Sequence, residues 1–166
     1  MKNQYEYTIN STEDISRALA EADREGYDLT HYNSAFYLRG TAGESISVDD
    51  SLAHLFVTTY GPAPVWVSGE GEVTVRAVEN AVVYATEGSL VDAYDSATVY
   101  AYDRSQVDVS MEASVYVASD DVDVKAFGNS EVYLPSDGVA GSQAQVFLQD
   151  YSNITRGVDV PAVLTN

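Results

Sequence analysis

The sequence predicts a mainly β protein: a parallel β-solenoid with about 16 residues per coil and a small N-terminal α/β region that caps it or docks a partner. Three observations predict this fold: an eight-residue repeat over residues 65–152, an alternation of side-chain type between successive repeats, and a single amphipathic helix signature before them. The predicted organisation is a capping or docking region at 1–60, an octad-repeat solenoid at 61–153 and a C-terminal cap at 154–166.

The repeat opens with valine and places Ala, Val or Leu two residues later. Side chains alternate between the two faces of a strand, so positions one and three point inward and position two points outward. Position seven is usually small, as a tight corner requires. The register survives one deletion and three insertions, and the units in order are VWVSGEGE, VTVRAVENAV, VYATEGSL, VDAYDSAT, VYAYDRSQ, VDVSMEAS, VYVASDD, VDVKAFGNSE, VYLPSDGVAGSQAQ and VFLQDYSN.

Position two shows how many repeats make one coil. Aromatic and small polar residues alternate there, which predicts two octads per coil and two facing sheets. A three-octad coil would mix tyrosine and aspartate on one face and ranks second. The aromatic row is Trp66, Tyr84, Tyr100, Tyr116 and Tyr133, with a changed continuation at Phe147, and the other row is Thr74, Asp92, Asp108 and Asp123.

Residues 12–25 have the pattern of an amphipathic helix, with Ser11 before the first turn, acids within that turn and Gly26 after the last. Gly61-Pro62-Ala63-Pro64 then marks a boundary just before the first octad. Because a solenoid exposes apolar sheet at both ends, the flanking segments are expected to be caps. Sixty residues exceed what a cap needs, so the N-terminal region is also a candidate for homodimerisation or partner docking.

Charge limits the classes of partner. The chain holds 26 acidic and 8 basic residues, a formal charge of −18, which repels nucleic acid and anionic membranes and attracts basic proteins. It has no cysteine, so disulfides and thiolate zinc sites are excluded. No leader-like N-terminus and no apolar run of about 20 residues is present. These observations predict a soluble, cytoplasmic protein.

The sequence contains no recognisable catalytic constellation, and we therefore expect neither an enzyme nor a bound cofactor. His31 and His54 lie outside the repeats, where a lone histidine is more often a surface or core residue than a general base. Two acidic clusters, Asp49-Asp50 and Asp120-Asp121-Val122-Asp123, have the oxygen donors that calcium prefers. Neither cluster matches the calcium-binding nonapeptide repeat, so no metal site is predicted.

Each outward row has an ordinary and a functional interpretation. Tyrosines on neighbouring strands stabilise a sheet by stacking, and they would also form an aromatic contact ladder. Aspartates on adjacent strands repel each other, so their row either serves solubility or forms a cation site or a negative stripe. The predicted partner-binding stripe comprises Asp92, Asp95, Asp103, Asp108, Asp120, Asp121 and Asp123.

The unit Val-x-Ala-x-Asp-Ser-Ala-x, clearest at 91–98, resembles the octad-repeat β-solenoid proteins of bacterial and phage genomes. More loosely, the chain is similar to the pentapeptide-repeat proteins that imitate duplex DNA. The resemblance implies a fold, and no functional residue carries over from it.

The functional expectation is a phage-type, nucleic-acid-mimicking inhibitor that occupies the basic groove of a host defence protein, such as a CRISPR effector, or of a DNA-handling protein. The alternatives are a structural or virion-associated solenoid and, third, a carbohydrate-binding β-helix, since aromatic ladders also suit sugar rings. Acids gathered on one surface would favour mimicry over a coat that serves only solubility.

Overall fold

The computed structural model describes residues 6–30, 34–41, 43–69 and 73–161. They form one helix, a short 3-10 turn at Asp50–Leu52 and two parallel sheets. The elements are β1 (Glu6–Ile9), α1 (Thr12–Glu25), β2 (Ala35–Leu38), β3 (Ile46–Val48), β4 (Val57–Thr59), β5 (Val65–Val67), β6 (Thr74–Ala77), β7 (Val82–Ala85), β8 (Leu90–Ala93), β9 (Thr98–Ala101), β10 (Gln106–Val109), β11 (Ser114–Val117), β12 (Asp123–Ala126), β13 (Glu131–Leu134), β14 (Gln145–Leu148) and β15 (Asn153–Arg156).

From β3 onward the strands alternate between the two sheets along the chain. One sheet has the order β1-β2-β4-β6-β8-β10-β12-β14, and the other has the order β15-β13-β11-β9-β7-β5-β3. In the regular part, Tyr84 pairs with Tyr100 and Tyr100 with Tyr116, so one coil is sixteen residues long. The predicted parallel solenoid with two octads per coil is therefore confirmed, and the three-octad coil is excluded.

The corners between strands explain the polar half of each octad. At one such corner the N–H of Ala97 donates to the carbonyl of Tyr94 at 3.1 Å, and equivalent turns recur every eight residues. The second residue of each turn has a left-handed φ, as in Glu87 (57°), Asp95 (56°) and Asp103 (52°). The residues at position seven are fully buried under the turn, where only a small side chain fits, as predicted. They are Ser89, Ala97, Ser105 and Ala113.

The core is a narrow double column of inward side chains. In the regular coils it consists of Val and Ala, and Val99 and Val107 are both fully buried. The predicted inward assignment is confirmed for these positions. The largest buried side chains, Phe36, Ile9 and Leu38, lie instead in the first coils.

The N-terminal region belongs to the same two sheets. Strands β1, β2 and β4 extend one sheet to Glu6, and β3 extends the other to Ile46, so the sheets begin well before residue 61. The octad pattern is absent there because the connections are longer: Phe36 pairs with Val57, twenty-one residues further along the chain. The surplus residues of the expected cap are thus further coils.

The predicted helix is confirmed as α1, which ends at Gly26 in a left-handed conformation (φ 71°). It packs against β1 and β3, the first strand of each sheet, and buries Ile15, Ala18 and Ala22. This helix therefore covers the N-terminal end of the solenoid.

The C-terminal segment takes a different course. Ile154 lies in β15, and residues 157–161 then run back beside the coils until the carbonyl of Pro161 accepts a hydrogen bond of 2.8 Å from the Tyr102 hydroxyl. Burial raises the pKa of that hydroxyl to about 12. Of the expected cap at 154–166, residues 154–156 thus belong to the last strand, residues 157–161 lie along the side of the rod, and residues 162–166 lie outside the described residues.

Candidate interaction surfaces

The aromatic row lies on the outer face of the seven-stranded sheet, as predicted. Its rings stack nearly parallel along the rod, with interplanar angles of at most 22°. The centroid distances are 4.2 Å for Trp66–Tyr84, 4.9 Å for Tyr84–Tyr100, 5.1 Å for Tyr100–Tyr116 and 4.5 Å for Tyr116–Tyr133. The last three distances lie in the range of favourable aromatic pairs, about 4.5–7 Å, and the Trp66–Tyr84 distance is slightly shorter.

Stacking determines what this face presents to a partner. The faces of an inner ring such as Tyr100 are covered by the rings on either side, so the row offers ring edges and hydroxyl groups to solvent. The pKa of Tyr100 is raised, mainly by burial and to a lesser extent by the neighbouring Tyr84 and Tyr116. A hydrogen bond to the Glu131 carboxylate raises the pKa of Tyr133 to about 12. A sugar ring therefore has no free face to stack on at the inner rings, Tyr84, Tyr100 and Tyr116.

The row does not continue at Phe147. Tyr133 pairs with Thr155 in β15, and Trp66 pairs with Ser47 in β3, so the row ends at both of these strands. Phe147 lies on the opposite sheet, paired with Lys125, and the expectation that it extends the aromatic row is wrong.

The outward row of the eight-stranded sheet differs from the predicted one at two positions. It reads Thr8, Tyr37, Thr58, Arg76, Asp92, Asp108, Lys125 and Phe147. The expectation for Thr74 and Asp123 is wrong, because Thr74 pairs with Leu90, and Asp123 pairs with Gln106. Both belong to ten-residue units in which five residues alternate. In such a run, two residues that lie two apart can each take position two of the repeat. In the structure the later one does, so Arg76 and Lys125 stand in the row.

This register changes the electrostatics of the face. Asp92 and Asp108 are neighbours, but Arg76 stands before them and Lys125 after them, so two bases bracket two acids. The Lys125 ammonium lies 3.8 Å from Asp108 Oδ1. Burial and then Asp108 raise the pKa of Asp92, and Arg76 acts in the opposite direction. The face therefore lacks the unbroken negative stripe that the sequence predicts.

Two other predicted acids are part of the corners. Asp95 Oδ2 accepts a hydrogen bond of 3.2 Å from the N–H of Glu79, sixteen residues earlier. Asp103 Oδ2 likewise accepts a hydrogen bond of 3.2 Å from the N–H of Glu87. The Ser119 hydroxyl oxygen in turn accepts from the N–H of Asp103 at 2.8 Å. These side chains join the corner of one coil to the corner of the previous coil. The sequence signal for this role was an acid at position five, which tolerates a left-handed backbone.

Asp120 holds the longest corner in place. Its Oδ1 accepts from the N–H groups of Gly141 and Gln143, at 2.9 and 3.0 Å. Gly141 has a φ of 94°, and a Cβ there would lie 2.7 Å from the carbonyl oxygen of Val117. The carboxylate therefore has a structural role in fixing the insertion between β13 and β14.

Acids gather most densely at the corners that follow the seven-stranded sheet, which we call the acidic edge. Arg104 belongs to this edge, and Arg156 reaches it from β15, 3.6 Å from Asp137. The acids of this edge in the described residues are Asp49, Asp50, Glu87, Asp103, Asp120, Asp121, Asp137 and Asp159. The acids of the opposite edge are Glu44, Glu79, Asp95, Glu112 and Asp150.

The seven predicted partner-binding acids therefore do not form one stripe. Asp103, Asp120 and Asp121 lie on the acidic edge, and Asp95 lies on the opposite edge. Asp92, Asp108 and Asp123 lie on the outer face of the eight-stranded sheet, where Asp123 directly follows the acidic edge. Sequence reasoning missed Glu87, Asp137 and Asp159, because membership of an edge depends on which sheet precedes the corner.

The eight-stranded sheet also carries an open groove of about 690 Å³ near its N-terminal end. Tyr37, Phe56 and Tyr60 line it together with Arg76 and Asp92. His54 also lines this groove, whereas His31 lies outside the described residues. The groove is assembled from four separate segments of chain, so no local sequence pattern could reveal it.

The candidate calcium clusters have other partners. Asp49 accepts a hydrogen bond from the N–H of Ser51, and the bonds from Ser51 lower the pKa of Asp49. Within the described ranges, no group of three or more His, Asp or Glu side chains is arranged to hold a metal ion. Nor does any helix in those ranges have the length and apolar character needed to cross a membrane.

No protein-family model matches the chain, and comparison with curated proteins and with solved structures finds no significant match to either. Proposals about function therefore rest on the geometry and electrostatics of the chain itself.

Proposed function

We propose that this chain is a non-catalytic acidic binding protein that occupies the basic groove of a nucleic-acid-binding protein, with the acidic edge as its contact surface. The supporting observation is the gathering of eight acids on one edge, against five on the other. Charge collected on one side of a rod produces a directed field, which attracts and orients a basic partner.

The density of charge along the rod supports mimicry of a duplex. Residues 61–166 contain 16 acids and four bases, a net charge of −12. From β5 to β15 the seven-stranded sheet advances five strand steps, about 24 Å at about 4.8 Å per step. This gives one net charge per about 2 Å, and duplex DNA carries one per about 1.7 Å of helix axis. A groove built to neutralise DNA therefore meets a comparable charge density here.

The resemblance to octad-repeat solenoids of phages suggests the biological setting. In this proposal the chain acts in the host cytoplasm, and its target is a host defence protein, such as a CRISPR effector, or a DNA-handling protein. Neither an active site nor a cofactor is needed for such an inhibitor, because occupying the groove is sufficient.

The contact acids are best chosen among those with exposed carboxylates that serve no corner bond. Asp103 and Asp120 accept backbone hydrogen bonds, so their loss would also perturb the fold. The remaining exposed acids of the regular and C-terminal parts of the edge are Glu87, Asp121, Asp137 and Asp159.

The test uses two quadruple variants with the same change in charge. The edge variant is Glu87→Gln, Asp121→Asn, Asp137→Asn and Asp159→Asn. The matched control is Glu44→Gln, Glu79→Gln, Glu112→Gln and Asp150→Asn on the opposite edge. The edge set contains one left-handed corner residue, Glu87, and the control set contains two, Glu79 and Asp150. Asp150 is changed to asparagine, which also tolerates a left-handed backbone.

The measurement is competition for a basic partner recovered from host lysate and loaded with labelled DNA. The parent and the control should displace the DNA, and the edge variant should need at least tenfold more protein. Displacement should weaken as salt rises, because screening acts over about 10 Å at 0.1 M. Equal loss in both variants, or a recovered partner that is an acidic protein or a glycan, would contradict the proposal.

A further inference from the structure

The two ends of the solenoid are covered differently. Helix α1 packs across β1 and β3 at the N-terminal end, whereas β14 and β15 are the last strands of their sheets at the other. We call the surface formed by residues 145–156 the open end. Among the described residues no element lies beyond it, since residues 157–161 run back toward Tyr102.

The open end exposes residues that the pattern of the solenoid assigns to the core. Leu148 pairs with Ala126 and Ile154 with Val132, both fully buried, yet Leu148 is 38% exposed and Ile154 36%. Phe147 and Tyr151 in the same coil are 59% and 80% exposed. Four of the seven large exposed apolar side chains in the described residues therefore belong to this one coil.

The backbone at the open end is also incomplete. Within the described chain β14 pairs only with β12, and β15 pairs only with β13. Among the described residues, each strand therefore has an outer side whose N–H and C=O groups lack a neighbouring strand. Such an edge is a template for another strand.

Local charge indicates which partner fits. Residues 145–157 contain one acid, Asp150, and one base, Arg156, so this coil is neutral in a chain of charge −18. Its other polar side chains include the amides Gln145, Gln149 and Asn153. Two copies of this acidic chain repel each other along their sides, and the neutral end is where they can approach with little repulsion.

We propose that the open end binds the open end of a second copy. Because α1 covers the N-terminal end, a head-to-tail stack is blocked, and the pairing that remains is two-fold symmetric. The last strands of each sheet then run antiparallel to strands of the partner, which pairs their free backbone groups and buries the exposed apolar residues. The proposal is independent of the acidic-edge function.

The test is sedimentation velocity over a range of concentrations, on the full chain. The parent should form a dimer of twice 17.9 kDa and stop there. The double variant Leu148→Lys, Ile154→Lys should be monomeric, with a dimer Kd raised at least tenfold, because both side chains are already exposed and the lysines place repelling charges in the contact. The control Phe56→Lys, Met111→Lys alters apolar residues elsewhere that are more exposed, at 49% and 55%, and it should dimerise like the parent.

A third chain, ending at Pro161, distinguishes another occupant. If the parent is monomeric and removal of 162–166 produces the dimer, the chain's own C-terminal residues cover the end and the proposal is overturned. A parent that is monomeric with and without those residues, an equal effect of both lysine pairs, or open-ended polymers would overturn it as well. Melting curves verify that each variant remains folded.

Discussion

The middle coils and the last coil of this solenoid place apolar residues in the same inward columns, yet bury them to different extents. Val132 is fully buried, whereas Ile154, its partner one coil later, is 36% exposed. Likewise Val124 is fully buried and its partner Val146 only partly. The difference shows that an inward residue of a solenoid is covered largely by the next coil. The same valine-led pattern therefore stabilises the middle strongly and the end only weakly.

The largest expected contrast comes from a buried charge. Val99→Asp or Val107→Asp should unfold the array, because an unpaired charge in the core costs several kcal/mol against a total stability of about 5–15 kcal/mol. Ile154→Asp at the open end should remain folded, since its carboxylate can stay hydrated. Urea unfolding followed by circular dichroism checks both. A Val107→Asp chain that melts like the parent would refute the inward assignment.

The aromatic row offers a smaller contrast of the same kind. Tyr100 stacks between two rings, whereas Tyr133 stacks on one and faces Thr155 on its other side. With about 0.5–1.5 kcal/mol for each aromatic pair, Tyr100→Ala should cost about 1–3 kcal/mol and Tyr133→Ala about half as much. Chemical denaturation measures both. Equal losses would mean that stacking between neighbours is not what stabilises the row.

Each hydrogen bond between the corners of neighbouring coils should contribute about 0.5–1.5 kcal/mol to the free energy of unfolding. Asp103→Ala removes the acceptor for the N–H of Glu87, whereas Asp103→Asn keeps an acceptor and suits the left-handed backbone. We expect Asp103→Ala to lower the unfolding free energy and Asp103→Asn to restore most of it. Asp121→Ala, on the same edge, serves as the control. If both alanine variants were equally stable, the hydrogen bond between the coils would make no net contribution to the free energy of unfolding.

The length of the coil could be predicted from the sequence. The start of the solenoid and the full set of outward residues on the eight-stranded sheet could not. The octads predicted the register of Tyr84, Tyr100 and Tyr116, because sixteen-residue coils repeat without interruption there. They failed at Asp123, because an insertion leaves two equivalent registers and hydrogen bonding selects between them. The first coils escaped notice, since connections such as that between Phe36 and Val57 hide the period. The acidic edge could not be read, because edge membership is a property of the assembled coils.

The smallest expected effect concerns Asp92. Its pKa is raised in the fold by burial and by Asp108, so the carboxylate destabilises the folded state above that pKa. The penalty disappears below the ordinary aspartate value, where the group is protonated both folded and unfolded. Asp92→Asn should therefore stabilise the chain at neutral pH by less than about 1 kcal/mol, with no gain at strongly acidic pH. Thermal melts across this range measure the difference, and a gain that grows toward acid would contradict the sign.

Native-state hydrogen exchange tests most directly the claim that coverage by the next coil determines stability along the rod. At concentrations low enough to keep the chain monomeric, amides of β8 to β11 should exchange most slowly. Those of β1 and β3 beneath α1 should be intermediate, and those of β14 and β15 should exchange fastest. Protection in β14 and β15 equal to that of β10 and β11 in the monomer would contradict the account.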